Sequence, residues 1–128
     1  MAKYTKLLIL SLVQNQAEYN YANAPLPEGA KVIGIKARKT GKTRGNKTLE
    51  SGVGFDGLVL ELKKQQVTIH ELPVASIFNR STQGDCLGYR FTDAIQLTWG
   101  DTGTRLISYD PSAVTTGNAV ELEVEYEY

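Results

Sequence analysis

Two short stretches of the sequence match signatures of chemical sites, and neither has the surroundings that its chemistry requires. A phosphate-binding loop that ended in Gly41-Lys42-Thr43 would need a glycine five residues before Gly41, where Lys36 stands, and a helical pattern after it. Asp101-Thr102-Gly103-Thr104 matches the aspartic protease signature, in which paired carboxylates share a proton and activate water. In a retroviral-type protease a long flap-bearing segment follows that signature, whereas 24 residues follow Thr104. The sequence predicts a hairpin turn there.

The single histidine and the single cysteine also lack partners for chemistry. His70 has no cysteine or second histidine at metal-ligand spacing, so neither a metal site nor a histidine-based triad is predicted. Cys86 excludes an internal disulfide, and no readable feature near it would activate a thiolate. We therefore predict no enzymatic activity, no catalytic residue, no metal and no cofactor.

The elements that would position any site are strands with an alternating apolar pattern. Leu58, Leu60 and Leu62 alternate with Val59, Glu61 and Lys63, and a second alternating run from Val67 to Leu72 predicts a hairpin that ends at Pro73. The clearest run is the last one, in which apolar residues alternate with glutamates. Its apolar face comprises Val120, Leu122, Val124, Tyr126 and Tyr128, and its acidic face Glu121, Glu123, Glu125 and Glu127.

Further strands are predicted on weaker patterns. The run from Leu7 to Val13 indicates a strand buried on both faces, with a helix as the open alternative. Lys31 to Arg38 predicts a strand whose Ile33, Ile35 and Ala37 share one face, with a bulge at Gly34. Other strands are expected at Tyr89-Arg90-Phe91, from Ile95 to Trp99 and from Thr104 to Tyr109, with a turn over Gly100 to Gly103.

Length and pattern together predict one domain spanning residues 1–128, with residues 14–29 as an extended arm or connection. A chain of 128 residues buries enough surface to fold without disulfides or metals. About eight short strands separated by glycine and proline turns are typical of an antiparallel β-sandwich, and we predict an all-β jelly roll.

The amino terminus resembles a secretion signal, because Lys3 and Lys6 precede an apolar run and Ala22-Asn23-Ala24 resembles a signal-peptide cleavage site. The run is at the shortest limit for such a signal, and Pro25 would follow the cut, so we predict that the segment is retained. The run is also too short to cross a bilayer, and no membrane span is expected.

Charge is unevenly distributed along a chain of zero net charge. Nine basic and two acidic residues precede residue 48, which gives +7 there and −7 in the remainder. Such asymmetry favours an electrostatic partner, including another copy of the chain. The candidate interface residues are the four glutamates of the last strand together with Lys36, Arg38, Lys39, Lys42, Arg44 and Lys47.

Two roles are expected for these basic residues. The loop over residues 38–47 is basic and contains glycine, so it could contact nucleic-acid backbone, or it could be a solvated hairpin tip. A row of glutamates on one strand face requires basic neighbours across the sheet, for which Lys36 and Arg38 are candidates in the same chain or the next.

The carboxy-terminal 70 residues or so resemble small structural proteins of bacteriophage virions. The likeness rests on the order of the hairpin, Glu71-Leu72-Pro73-Val74-Ala75-Ser76, the segment from Tyr89 to Trp99 and the alternating last strand. The proteins that the segment resembles are single jelly-roll capsid, penton and head-decoration proteins. The resemblance implies a symmetric homo-oligomer within a shell and no enzymatic activity. It implies no role for any individual residue.

The sequence therefore supports two functional hypotheses. The first is a structural protein that assembles with itself and with other virion proteins, is made in the host cytoplasm and resides in the virion. The second is a carbohydrate-binding β-sandwich in which Tyr19, Tyr21, Tyr89 or Trp99 would stack on sugar rings, although the alternating position of Trp99 favours core packing.

Overall fold

The computed structural model describes residues 2–21, 24–38, 43–44, 47–49, 55–78 and 88–128. Their regular secondary structure is β-strand with short 3-10 turns, which include Val74–Ser76 and Pro111–Ala113. The strands are β1 Lys3–Ser11, β2 Glu18–Tyr21, β3 Lys31–Ala37, β4 Thr43–Arg44, β5 Lys47–Leu49, β6 Leu58–Lys64, β7 Val67–Pro73, β8 Tyr89–Ile95, β9 Gly100–Ser108 and β10 Asn118–Glu127. In these residues no helix is long and apolar enough to span a membrane.

The strands form two sheets. Sheet I has the order β1-β10-β3-β8, and the short β4–β5 hairpin joins it through a two-residue parallel pairing of β5 with β10. Sheet II has the order β2-β9-β6-β7. All pairings between the eight longer strands of the described residues are antiparallel. The prediction of an all-β antiparallel sandwich is confirmed.

The pairing of these eight strands follows one rule. Counted from 1 to 8 along the chain, they lie in the orders 1-8-3-6 and 2-7-4-5. First pairs with eighth, second with seventh, third with sixth and fourth with fifth, as in a chain doubled back once at the β6–β7 hairpin. Successive pairs lie alternately in sheet I and sheet II. Each strand therefore sits beside a partner that is distant in sequence, except at the hairpin itself.

The core lies between the sheets and is built from alternate residues of each strand, because successive side chains of a strand point to opposite faces. Phe55 and Phe78 pack edge to face in it, with ring centroids 4.9 Å apart. The large apolar side chains that are almost completely buried include Leu12, Val32, Ile35, Phe55, Leu58, Leu60, Leu62, Val74, Leu106, Val120 and Val124.

The two strongest sequence patterns are confirmed. β6 and β7 form a hairpin whose turn residues Gln65 and Gln66 have φ of 53° and 69°, as the tight two-residue turns of twisted hairpins require. β10 buries Val120, Leu122, Val124 and Tyr126, while Tyr128 follows the strand and is exposed.

The prediction of a strand over Leu7 to Val13 buried on both faces is wrong about burial. β1 is a strand, but in the described residues it pairs only with β10 and forms the edge of sheet I. Leu8 and Leu12 are buried, whereas Leu7 and Ile9 are 44% and 41% exposed. A continuous apolar run therefore did not indicate a central strand here.

A bulge in β3 changes which of its side chains reach the core. The register of β3 shifts between Val32 and Gly34 against both neighbouring strands, as the glycine predicted. One extra residue reverses the alternation, so Val32, Ile35 and Ala37 are buried and Ile33 is only partly covered.

Two boundaries differ from the sequence prediction. The segment 14–29, predicted as an arm or connection, contains β2, whose Tyr19 is buried and donates its hydroxyl to the carbonyl of Val13 at 2.8 Å. Residues 96–99 are not a strand, and the turn expected over Gly100 to Gly103 is the first part of β9. Thr104 N donates to Thr98 O at 2.7 Å and closes a tight loop there.

Candidate functional site

The glutamate face of β10 forms a charged layer on the outer side of sheet I, together with basic residues of the same chain. Lys36 Nζ lies 3.0 Å from Glu123 Oε2, and Arg38 Nη1 donates to Glu123 Oε1 at 3.2 Å. Arg38 Nε is also 3.5 Å from Glu121 Oε1, and the Glu121 side chain is only 1% exposed. The basic neighbours expected from the sequence, Lys36 and Arg38, therefore belong to the same chain.

A third cation on the next strand extends this layer. Arg90 Nη2 donates to Glu125 Oε2 at 3.0 Å, and this hydrogen bond holds the pKa of Glu125 below its usual range. The sheet register also sets Lys3 and Lys31 opposite Glu127 on the two sides of β10. Since the layer is neutralised within one chain, the glutamates need no second copy for charge balance.

The remaining basic candidates are placed only in part. Arg44 and Lys47 oppose each other in the β4–β5 hairpin, for which the structure describes the backbone. Lys39, Lys42 and the single cysteine, Cys86, lie outside the described residues. The nucleic-acid role predicted for residues 38–47 stays a prediction.

A second charged cluster on the outer face of sheet II escaped the sequence analysis. Glu61 is 7% exposed, and its Oε1 lies 3.3 Å from Lys63 Nζ and 3.5 Å from Arg105 Nε. Thr68 Oγ1 donates to the same carboxylate oxygen at 3.0 Å. Arg105 also reaches Glu18 on β2 at 3.1 Å. The cluster therefore ties together four strands, β2, β9, β6 and β7.

Burial of Glu61 opposes its charged form, but its partners outweigh that effect. The hydrogen bonds from Thr68 and Lys63 and the charge of Arg105 hold the pKa of Glu61 below its usual range. The pairing of β6 with β9 sets Glu61 opposite Arg105, a neighbour 44 residues away. No local pattern could have indicated this pair before the strand order was known.

Lowering the pH is expected to destabilise the fold as Glu61 and Glu125 take up protons. Because both folded-state pKa values lie below the unfolded value of about 4.3, the unfolded chain binds protons first as the pH falls. Their stabilisation is complete above the unfolded pKa and is lost as the pH falls through the folded one. Denaturant unfolding at about pH 7 and about pH 3 should show this loss, and a Glu61→Gln variant should lose less. An equal loss in both proteins would contradict the assignment to Glu61.

An aromatic cluster fills the gap between the two sheets at β7 and β8. The Tyr89 hydroxyl lies 3.0 Å from His70 Nε2, and the His70 ring centroid is 4.9 Å from that of Tyr89 and 5.9 Å from that of Phe91. His70 and Tyr89 therefore connect the end strands of the two sheets. In the described residues no group of three or more histidine, cysteine, aspartate or glutamate side chains could hold a metal ion.

Of the four aromatic residues proposed for sugar stacking, Trp99 lines a hollow. A surface hollow of about 330 Å³ has Trp99 in its wall, with Leu26, Pro27, Glu28 and Gln96. Tyr21 packs edge-on against Trp99 at 5.3 Å, and burial raises the pKa of its hydroxyl above the usual range. Tyr19 is buried and Tyr89 belongs to the histidine cluster.

The edge strand β1 is the other surface feature that the sequence did not indicate. Its exposed aliphatic residues Leu7 and Ile9 lie on the same outer face as the glutamates, since register partners in an antiparallel pair share a face. Exposed apolar edge strands are templates for pairing with another chain.

In the part of the chain that the structure describes, these features define an all-β sandwich with a charged layer on each sheet and an exposed apolar edge at β1. Comparisons with family models, with curated proteins and with solved structures found no match to the chain.

Proposed function

We propose that this chain is a non-enzymatic structural protein of a bacteriophage virion that assembles into a capsid or other shell through contacts between its own copies. The observation that carries the proposal is the strand order, 1-8-3-6 in one sheet and 2-7-4-5 in the other. A doubled-back chain whose strand pairs alternate between two sheets is the design of a jelly roll. Viral capsid domains use that architecture, which supports the assignment.

Further partners in this proposal are other virion proteins, and nucleic acid through residues 38–47. The protein would be made in the host cytoplasm and reside in the virion. The two charged layers support a role in a shell, because they stabilise the outer face of each sheet without using a partner's charges. Such a subunit can present its remaining surface to neighbours.

The purified chain is expected to associate beyond its monomer mass of 14.1 kDa as its concentration rises. Multi-angle light scattering measures the mass, and negative-stain electron microscopy shows whether closed particles form. Association should persist from low to high salt, because Lys36, Arg38 and Arg90 already neutralise glutamates of their own chain and salt screens mainly exposed charges. A monomeric mass at every concentration would contradict self-assembly.

The second candidate function is carbohydrate binding, and the hollow beside Trp99 favours it. Jelly rolls also form lectin domains, and the partly buried indole of Trp99, which lines this hollow beside Gln96, suits a sugar ring. A monomer that binds glycans, and that loses this binding in a Trp99→Ala variant, would favour this candidate over the virion protein.

A further inference from the structure

A second surface hollow, of about 300 Å³, lies next to the one beside Trp99. Its wall joins the tip of the β6–β7 hairpin to the segment that precedes Trp99. The residues that line it are Lys64, Gln65, Gln96, Leu97 and Thr98. Gln96 and Leu97 also line the first hollow, so the two hollows meet at this segment. Because small-molecule sites usually measure about 300–1,000 Å³, the pair has room for a ligand of two small units.

Hydrogen bonds of Thr98 hold the wall between the hollows in place. Thr98 N donates to Lys63 O at 2.8 Å, and Thr98 Oγ1 accepts from Gln65 N at 2.8 Å. Thr98 O accepts from Thr104 N at 2.7 Å. The hairpin tip and the start of β9 are thus both tied to this wall. A preformed wall favours binding, because no loop has to be ordered when the ligand arrives.

The hairpin tip carries backbone strain at two glutamines. Gln65 and Gln66 have φ of 53° and 69°, in the left-handed region. Tight turns of this kind favour asparagine and glycine, because other side chains meet a steric penalty there. Gln65 lines the second hollow, whereas Gln66 is not among the described residues that line it. Since strained residues concentrate at binding sites, Gln65 is a candidate to contact a ligand through its amide.

The two hollows offer different chemistry. The second one has the amides of Gln65 and Gln96, which both donate and accept hydrogen bonds, as sugar hydroxyls do. It also has the Lys64 ammonium, which suits a single carboxylate. The first hollow has the indole of Trp99 and the carboxylate of Glu28, and that carboxylate would repel an anion. An acidic group of a ligand therefore belongs at Lys64.

We propose that the two hollows form one binding site for an acidic oligosaccharide. A neutral sugar unit stacks on Trp99. The adjoining unit is a uronic or sialic acid, whose carboxylate pairs with Lys64 and whose hydroxyls bond to Gln65 and Gln96. This inference rests on the carbohydrate candidate for the hollow beside Trp99, to which it adds a second subsite and the charge of the ligand. It is independent of self-assembly.

A glycan array that holds neutral oligosaccharides beside their sialylated and uronic acid-containing counterparts tests the class of ligand. The wild-type chain should bind the acidic members about fivefold better than the matched neutral ones, because an exposed ion pair adds modestly to affinity. Lys64→Gln should remove this preference and keep the binding of neutral glycans. Lys6→Gln is the matched control, since Lys6 is also exposed but lines neither hollow, and it should keep the preference.

Two glycine variants separate recognition from backbone strain. Gln65→Gly and Gln66→Gly relieve the same left-handed strain, so both should melt at or above the wild type. Gln65→Gly also removes an amide from the site and should weaken glycan binding at least about tenfold, whereas Gln66→Gly should bind like the wild type. Trp99 is the only tryptophan of the chain, so its fluorescence during titration with a glycan that the array identifies gives each dissociation constant. Equal affinities of the two variants would contradict the role of the Gln65 amide.

The outcomes separate the acidic subsite from the carbohydrate candidate. Equal binding of acidic and neutral glycans, lost in Trp99→Ala, overturns the acidic subsite and leaves the carbohydrate candidate standing. A preference for acidic glycans that Lys64→Gln leaves unchanged overturns the assignment of the carboxylate to Lys64. Binding to no member of the array overturns both proposals, whatever mass light scattering gives.

Discussion

Replacement of Arg105 by methionine is expected to lower the free energy of unfolding by about 2–3 kcal/mol, because it leaves Glu61 inadequately compensated. The Glu61 carboxylate is 7% exposed, and Arg105 supplies a charge 3.5 Å from it while also holding Glu18 at 3.1 Å. Removing one member of a buried ion pair usually costs about 3–5 kcal/mol. We expect a smaller loss of stability here because Lys63 Nζ stays 3.3 Å from Glu61 Oε1 and because Arg105 is itself partly exposed.

Arg90→Met is the matched control for this variant. Arg90 also pairs with one glutamate across strands of its sheet, at 3.0 Å from Glu125, but both side chains are more than a third exposed. Solvent-exposed pairs contribute about 0–1 kcal/mol, so the control should unfold almost like the wild type in urea. A double variant Arg105→Met/Glu61→Leu should recover part of the lost stability, because no buried charge is then left behind. Equal effects of Arg105→Met and Arg90→Met would show that burial of Glu61 does not matter.

The contrast between the two charged layers shows what local pattern can and cannot predict. The strict alternation of β10 alone predicts its glutamate face. Because such a face needs basic cross-strand neighbours, Lys36 and Arg38 could be predicted as partners without the strand order. Glu61 lies in an equally regular strand, yet its partner Arg105 is fixed by the pairing of β6 with β9. Pairing between distant strands is a property of the whole fold.

The same limit explains the misassigned burial of β1 and β3. An apolar run such as Leu7 to Leu10 indicates apolar surroundings, but it does not distinguish a central strand from an edge strand that has one neighbour in its own chain. In β3 the sequence predicted the bulge at Gly34, but it did not predict that the bulge changes which side chains of the strand face the core. One inserted residue exchanges the core and outer positions beyond it, which is why Val32 and Ile35 are both buried.

Gly103→Ala is expected to destabilise the sandwich by about 3 kcal/mol through a steric clash with backbone. A Cβ at this position would lie 2.5 Å from Thr98 O and 2.6 Å from both Cα and C of Trp99. The neighbouring Thr104 N donates to the same Thr98 carbonyl at 2.7 Å, so that carbonyl cannot move away without losing its hydrogen bond. A backbone shift at residues 98–99 would also disturb Trp99, which packs against Tyr21.

Gly100→Ala is the control that separates the steric clash from backbone strain. Gly100 lies near Gly103 in sequence, but an added Cβ there meets strain without a clash. Gly100 has φ of +96° with no atom within 4 Å of an added Cβ, so only backbone strain opposes the alanine, at about 1–2 kcal/mol. Thermal unfolding followed by tryptophan fluorescence should place Gly103→Ala roughly 10 °C below the wild type and Gly100→Ala between them. The Trp99 emission of the folded protein should change only in Gly103→Ala, since the clash acts on the backbone that carries the indole. If Gly103→Ala melts at or above Gly100→Ala, the loop between Thr98 and Thr104 is not closed as tightly as these distances require.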